Sequence, residues 1–178
     1  AGKFITPDGK EIIDLINPAT EEKVGHVVSG SEKDVNDAVN SAKHAFTYAS
    51  SLSLEQKKTI LQEIIDGMDE RREEFAQVIS EEMGAPIKVA RGAQFSSGKV
   101  HFINTLKVID GFSFSEVHDN ITLNKLPVGP VGMITPWNWP LNQMCTKIAS
   151  AIAAGTSFVL KPSEITPGAA QLFAEVVH

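Results

Sequence analysis

With 178 residues, 42% of them hydrophobic, the chain is long enough to bury a core of its own. Its 16 Lys and Arg against 22 Asp and Glu leave a formal net charge of −6, and no basic cluster of the kind that neutralises phosphates, which argues against a nucleic-acid partner. No apolar run approaches the roughly 20 residues that span a bilayer, residues 1–10 lack an apolar signal core, and the single cysteine, Cys145, leaves no internal disulfide or cysteine-based zinc site. A cytoplasmic protein is the expectation.

Residues 1–30 read as short strands and turns, with Pro7-Asp8-Gly9 and Asn17-Pro18 as turn signals. Ser31 followed by Asp34 is a capping-box variant, and Val35, Ala38, Val39, Ala42 and Phe46 then recur at helical spacing to about Ala49. Ser53 opens a second helix with Ile60, Leu61, Ile64, Ile65 and Met68 on one face. The charged run from Asp69 to Glu74 marks a break, after which Phe75, Val78 and Ile79 resume the stripe. Gly84 is placed to end that helix and Pro86 to open the next, which runs to about Ile109 with Gly92 and Gly98 suited to close packing. The acidic groups Glu70 to Glu74 and Glu81-Glu82 read as solvated helix faces, and the 5 histidines share no metal-ligand spacing.

Phe112 to Glu116 and Ile121 to Leu126 alternate like short strands, and Pro127-Val128-Gly129-Pro130 is a turn. Val131 to Thr135 reads as a buried strand, Leu141 to Ala154 as a helix closed by Gly155, and Ser157 to Leu160 as a second buried strand. Thr166 is expected to cap a last helix with Pro167 at its first position. This strand–helix–strand–helix order is one crossover unit of a parallel sheet. Two such strands, and a last helix whose Leu172, Phe173, Val176 and Val177 lack a partner, lead us to expect the front portion of a larger protein.

In open α/β sheets, ligands sit outside the carboxyl ends of the strands. Two motifs fall there: Thr135-Pro136-Trp137-Asn138-Trp139-Pro140 after the first strand, and Lys161-Pro162-Ser163-Glu164 after the second. Both are expected to face one crevice. An Asn amide between prolines and indoles donates hydrogen bonds without titrating; the rival role for Asn138 is capping the helix that follows. A Lys–Glu pair offers both a donor and an acceptor to a ligand, the rival being a solvated strand-end pair.

These blocks, together with Asn17-Pro18-Ala19-Thr20-Glu21-Glu22 and Glu82-Met83-Gly84-Ala85-Pro86, resemble the N-terminal third of the NAD(P)-dependent aldehyde dehydrogenase family. The resemblance implies an α/β fold: a helical cap over residues 1–111, an oligomerisation hairpin over 112–130, and the first strands of a Rossmann-like parallel cofactor sheet over 131–178, with the fold incomplete in this chain. It implies oxidation of an aldehyde to a carboxylic acid through a thiohemiacetal and thioester, with NAD as cofactor and NADP as the alternative. It further implies a homo-oligomer, dimer or tetramer, in the full-length protein. On this resemblance Asn138 is the oxyanion donor. Lys147 either tunes proton transfer or pairs with a carboxylate. Ile134, Thr135, Pro136, Trp137, Lys161, Ser163 and Glu164 contact the cofactor, and Trp139, Gln143 and Thr146 lie near the substrate. The family's nucleophilic cysteine, general-base glutamate and Gly-rich phosphate turn match nothing here, and Cys145 reads as a buried, inert thiol. The 178-residue chain alone is therefore expected to be inactive. A non-catalytic nucleotide-binding or assembly module, and a related semialdehyde dehydrogenase or acyl reductase, are the rival readings.

Overall fold

The computed structural model describes residues 2–178. Strands β1 (Ile12–Ile16) and β2 (Lys23–Val28) form an antiparallel pair with a register shift between Leu15 and Ile16. Helix α1 (Glu32–Ser51) opens on the expected capping box, in which the Ser31 hydroxyl accepts from the Asp34 N–H while the Asp34 carboxylate accepts from the Ser31 N–H. The same carboxylate also takes the backbone N–H groups of Asp8 and Gly9, which ties the N-terminal segment to α1 and holds Asp34 far below the usual carboxylate range. Helix α2 (Leu54–Glu70) repeats the device with Ser53 and Gln56. The expected break falls at Arg71, and α3 (Arg72–Met83) ends on Gly84 at φ 77°, a left-handed conformation that glycine adopts without a Cβ penalty.

Pro86 precedes a short helical turn, α4 (Ile87–Val89), then a π-helical turn at Ala90–Gln94, then α5 (Phe95–Ile109). The helical run was legible; its π-helical interruption was not. Strands β3 (Ser115–His118) and β4 (Ile121–Asn124) make an antiparallel hairpin. The expected strand at Phe112 begins three residues late, at Ser115; ahead of it Phe112 and Phe114 pair edge-on at 4.8 Å and carry the ammonium groups of Lys125 and Lys57 over their rings.

The parallel unit is strand β5 (Val131–Ile134), helix α6 (Pro140–Ala154) and strand β6 (Phe158–Lys161), with Val131 opposite Phe158 and Ile134 opposite Lys161. Helix α7 (Gly168–Val176) follows. Only Met133 of β5 is buried, and β6 is half-buried at Phe158 to Leu160, so neither is the fully buried strand expected. Among the described residues these two strands have no further strand beside them, which leaves their faces partly open.

Leu61, Met68, Phe75, Ile79, Phe95, Phe102, Leu141, Met144 and Ile148 form the core where α2, α3, α5 and α6 meet. Phe102 stacks on Phe173 of α7 at 5.9 Å. A Cβ at Gly98 would lie 2.8 Å from Leu141 Cβ, so this glycine lets α5 and α6 approach, as its placement suggested. Gly92 has nothing within 4 Å of such a Cβ and serves no close packing.

Candidate active site

The carboxyl ends of β5 and β6 lie side by side. The ladder runs one residue past β5, with the Thr135 N–H donating to the Lys161 carbonyl at 3.2 Å. Thr135 is buried, and the chain then turns outward so that Pro136, Trp137, Asn138 and Trp139 are all exposed. Pro140 is buried again at the first position of α6. Ile134, whose side chain alternates away from Met133, is 77% exposed at the strand end.

Two buried side chains hold this turn by its carbonyls. The Thr166 hydroxyl donates to the Trp137 carbonyl at 3.4 Å, and the Gln94 amide nitrogen donates to the Asn138 carbonyl at 3.3 Å. Both Thr166 and Gln94 are 2% exposed. Thr166 was expected to cap α7; instead Pro167 occupies the cap position, without any side-chain cap, and the hydroxyl turns back to the Trp137 carbonyl. Nor does Asn138 cap α6: Trp139 is the cap residue and no side chain bonds that helix end. The Asn138 amide is therefore free of intrachain partners among the described residues. It sits at the amino end of a 15-residue helix whose first turn has no acidic residue, where the helix dipole favours negative charge.

Gln143, Thr146 and Lys147 lie half-buried on α6. The Lys147 ammonium donates to the Gln143 carbonyl at 3.3 Å, and among the described residues it meets no carboxylate. At the end of β6, Lys161 and Glu164 are joined at 2.7 Å with both side chains about half exposed. The lysine bond holds the Glu164 carboxyl below its usual range, so it is an acceptor at neutral pH. Ser163 is buried and its hydroxyl accepts from the Ile165 N–H, so it shapes the loop. A cleft of about 430 Å³ runs between Ile13, Val27–Val28 and Asp34 on one side and Lys161 to Glu164 on the other. That is within the range of small-ligand sites. It includes the Lys161–Glu164 cluster and not the Trp137–Asn138 turn; the two clusters meet through the Ile134–Lys161 pairing. A larger cleft, of about 760 Å³, lies between Phe4, α1 and β6 and holds none of these groups.

Cys145 is fully buried in α6 with its thiol pushed far above the ordinary range by burial, an environment that suppresses the thiolate. Among the described residues no group of three His, Cys, Asp or Glu could hold a metal, and no helix is long and apolar enough to cross a membrane.

Three polar residues were missed or misread in the sequence. Gln94 has a legible signal in retrospect: it sits four residues after buried Ala90 and four before buried Gly98, a polar residue inside an apolar stripe. Thr166 was seen, with the wrong partner. Glu82 was taken for a solvated helix face. Instead it is partly buried and accepts the Gly168 N–H at 2.9 Å, and desolvation, aided by Glu81, pushes its carboxyl up to about 7.

A family model described as the aldehyde dehydrogenase family matches residues 4–178. The 3-succinoylsemialdehyde-pyridine dehydrogenase of a Pseudomonas species is 39% identical over 176 residues, which cover 98% of this chain and 37% of that protein. Aldehyde dehydrogenase C of Pseudomonas syringae, solved in complex with NAD+ and octanal, superposes with a TM-score of 0.97 at 43% identity, over 99% of this chain and 36% of that one. An aldehyde dehydrogenase from Bartonella henselae gives a TM-score of 0.95 at 38% identity, over 99% of this chain and 38% of its own. The chain thus spans 37% of the length of the curated relatives it matches. By the family match over nearly its whole length, and by the Trp-Asn turn and Lys-Pro-Ser-Glu loop set at adjacent parallel strand ends, this chain belongs to the aldehyde dehydrogenase family.

Proposed function

We propose that the protein to which these residues belong oxidises an aldehyde to a carboxylic acid with NAD(P), and that this chain supplies the amide arm of the oxyanion site and one wall of the cofactor crevice. The observation that carries the reading is the Asn138 amide. It is exposed on a turn that the Thr135 N–H anchors to the Lys161 carbonyl and whose Trp137 and Asn138 carbonyls are held by Thr166 and Gln94, and among the described residues nothing uses it. When a thiolate adds to the aldehyde carbon, charge develops on the carbonyl oxygen, and a preorganised neutral donor at the amino end of α6 stabilises that charge without gaining or losing a proton.

The residues fit a dinucleotide. An ionised Glu164 accepts from ribose hydroxyls and Lys161 donates to them, both exposed at the edge of a 430 Å³ cleft. The bound nicotinamide would accept the hydride; the protein's part is to hold it against Ile134 to Trp137 at the strand end. Glu164 disfavours a 2′-phosphate by like charge, which makes NAD the preferred form. The P. syringae relative's complex with NAD+ and octanal supports both ligands, and the Pseudomonas relative's substrate places semialdehydes among the first to assay. Trp139, Gln143 and Thr146 would border the aldehyde, with Lys147 behind them. Residues 1–111 serve as the helical cap and 131–178 as the start of the cofactor sheet. The β3–β4 hairpin, with Val117 73%, Ile121 65% and Leu123 50% exposed, supports subunit contact through residues 112–130, because a lone two-stranded hairpin is marginal in water. A cytosolic homo-oligomer completes the reading.

The test is Asn138→Ala in the full-length protein. Loss of one oxyanion donor lowers kcat by about 10²–10³ with little change in KM for NAD. A variant within a few-fold of wild type in kcat refutes the assignment.

A further inference from the structure

We propose that Gln94, presented by a π-helical turn, is a positioning residue that sets the Asn138 amide through the Asn138 backbone. The inference rests on the reading of Asn138 as the oxyanion donor.

Three observations converge. Gln94 Nε2 donates to the Asn138 carbonyl at 3.3 Å across 44 residues of sequence, from a side chain only 2% exposed. Which end of the amide is nitrogen follows from the partner: the reverse orientation would set oxygen against the carbonyl oxygen. Secondly, Gln94 Oε1 is the one buried side-chain polar atom without a hydrogen-bond partner among the described residues. Buried polar atoms are rarely left so, and an apolar side chain in this stripe would avoid the cost altogether. A polar group kept under that penalty is kept for its other end, the donor. Thirdly, Gln94 closes the π-helical segment Ala90–Gln94, in an otherwise continuous helical run. Single π-turns are rare and concentrate at functional sites. From the last position of this turn the buried Gln94 side chain reaches the turn between β5 and α6, while Phe95, Gly98 and Phe102 remain in the core.

The geometry explains what the contact does. With the Trp137 carbonyl held by Thr166 and the Asn138 carbonyl by Gln94, successive peptide planes on either side of the Asn138 Cα are fixed from two different elements. The direction of its Cα–Cβ bond is thereby set, and with it the reach of the amide. Small misplacements of a reacting partner cost much in rate, up to about 10²-fold for 1 Å.

The test is a double-mutant cycle in the full-length protein: Gln94→Met, Asn138→Ala and the pair, with kcat, KM for aldehyde and NAD, and Tm measured for each. Gln94→Met is expected to lower kcat roughly 10-fold, to leave both KM values within about 2-fold, and to have no further effect on kcat in the Asn138→Ala background. An unchanged kcat in Gln94→Met, or the same loss in both backgrounds, overturns the positioning role while leaving Asn138 as donor. An unchanged kcat in Asn138→Ala alone overturns the donor reading and this inference with it, so the two failures are distinct. Should Gln94→Met not fold, Gln94→Glu carries the test, because a neutral carboxyl retains a donor. Its kcat should approach wild type at low pH and fall as the group ionises, with Asn138 present and not in the Asn138→Ala background; a pH profile identical to wild type refutes the inference.

Discussion

Glu82 should make the protein less stable as pH rises, contrary to the usual behaviour of a carboxylate at a helix amino end. Glu82 lies at the end of α3 and accepts the Gly168 N–H at 2.9 Å and 3.2 Å, one distance to each oxygen, so it caps α7 from another element in place of Pro167. Two effects oppose. The helix amino end and the N–H favour the charged form, by up to about 2 kcal/mol in partly buried geometries. Desolvation disfavours it, Glu81 adds repulsion, and desolvation is the largest effect, with the carboxyl pushed up to about 7. In the unfolded chain the group titrates near ~4.3. The native state therefore binds more protons than the unfolded state between these values. The contribution is fully present below pH ~4.3 and is lost as pH rises through about 7. A shift that large corresponds to roughly 4 kcal/mol, which solvent screening of a carboxyl only partly buried reduces to about 2–3 kcal/mol.

Glu82→Gln keeps an oxygen for the Gly168 N–H and cannot ionise. Urea denaturation of wild type and variant at steps from pH 4 to 8 should give near-equal stabilities at the acid end. At the basic end the variant should be more stable, by roughly 2–3 kcal/mol. A difference that stays flat across the range, or a wild type that gains on the variant above pH 7, would show that the helix end outweighs desolvation and refute the reasoning.

Gly98→Ala would force a methyl to within 2.8 Å of Leu141 Cβ and 3.2 Å of the Leu141 carbonyl carbon, where the backbone of α6 has to move. A loss of about 1–3 kcal/mol is expected in denaturant titration, and an unchanged midpoint would mean that the helices part freely. Cys145→Ala should leave kcat of the full-length protein unchanged, and native Cys145 should resist a thiol reagent that labels the unfolded chain, because the thiol is buried and its thiolate suppressed. Rapid labelling in the native state would contradict that.

Local chemistry was readable from the sequence, and long-range burial was not. Ser31 with Asp34, Ser53 with Gln56, Gly84 and Gly155 act within a few residues of themselves, so each marked its helix end in advance. The Trp-Asn and Lys-Pro-Ser-Glu blocks were equally legible, because the strand ends that carry them are set by the apolar runs before them. Glu82 misled because its environment is made by Gly168, 86 residues away. Thr166 misled because two partners suit a hydroxyl beside a helix start, and the nearer one in sequence lost to the Trp137 carbonyl. The buried character expected of β5 and β6 depends on neighbouring strands that the described residues do not include.

The freedom of the Asn138 amide follows from Pro140. An Asn just ahead of a helix is ordinarily drawn into capping, since the first turn has N–H groups to satisfy. Here Pro140 occupies the first helical position and brings no N–H, and its ring sets the backbone for the helix without help from a cap. Trp139, not Asn138, becomes the cap residue, and its carbonyl takes the Gln143 N–H at 2.9 Å. The amide is thus spared on the helix side while Gln94 and Thr166 hold the backbone on the other. Replacing Pro140 would add an N–H that could engage the amide oxygen and so turn the amide out of place, whereas replacing Gln94 would loosen the backbone that aims it. These are opposite ways of losing one arm of an oxyanion site, and they separate the turn's two requirements: a fixed main chain and an unclaimed side chain.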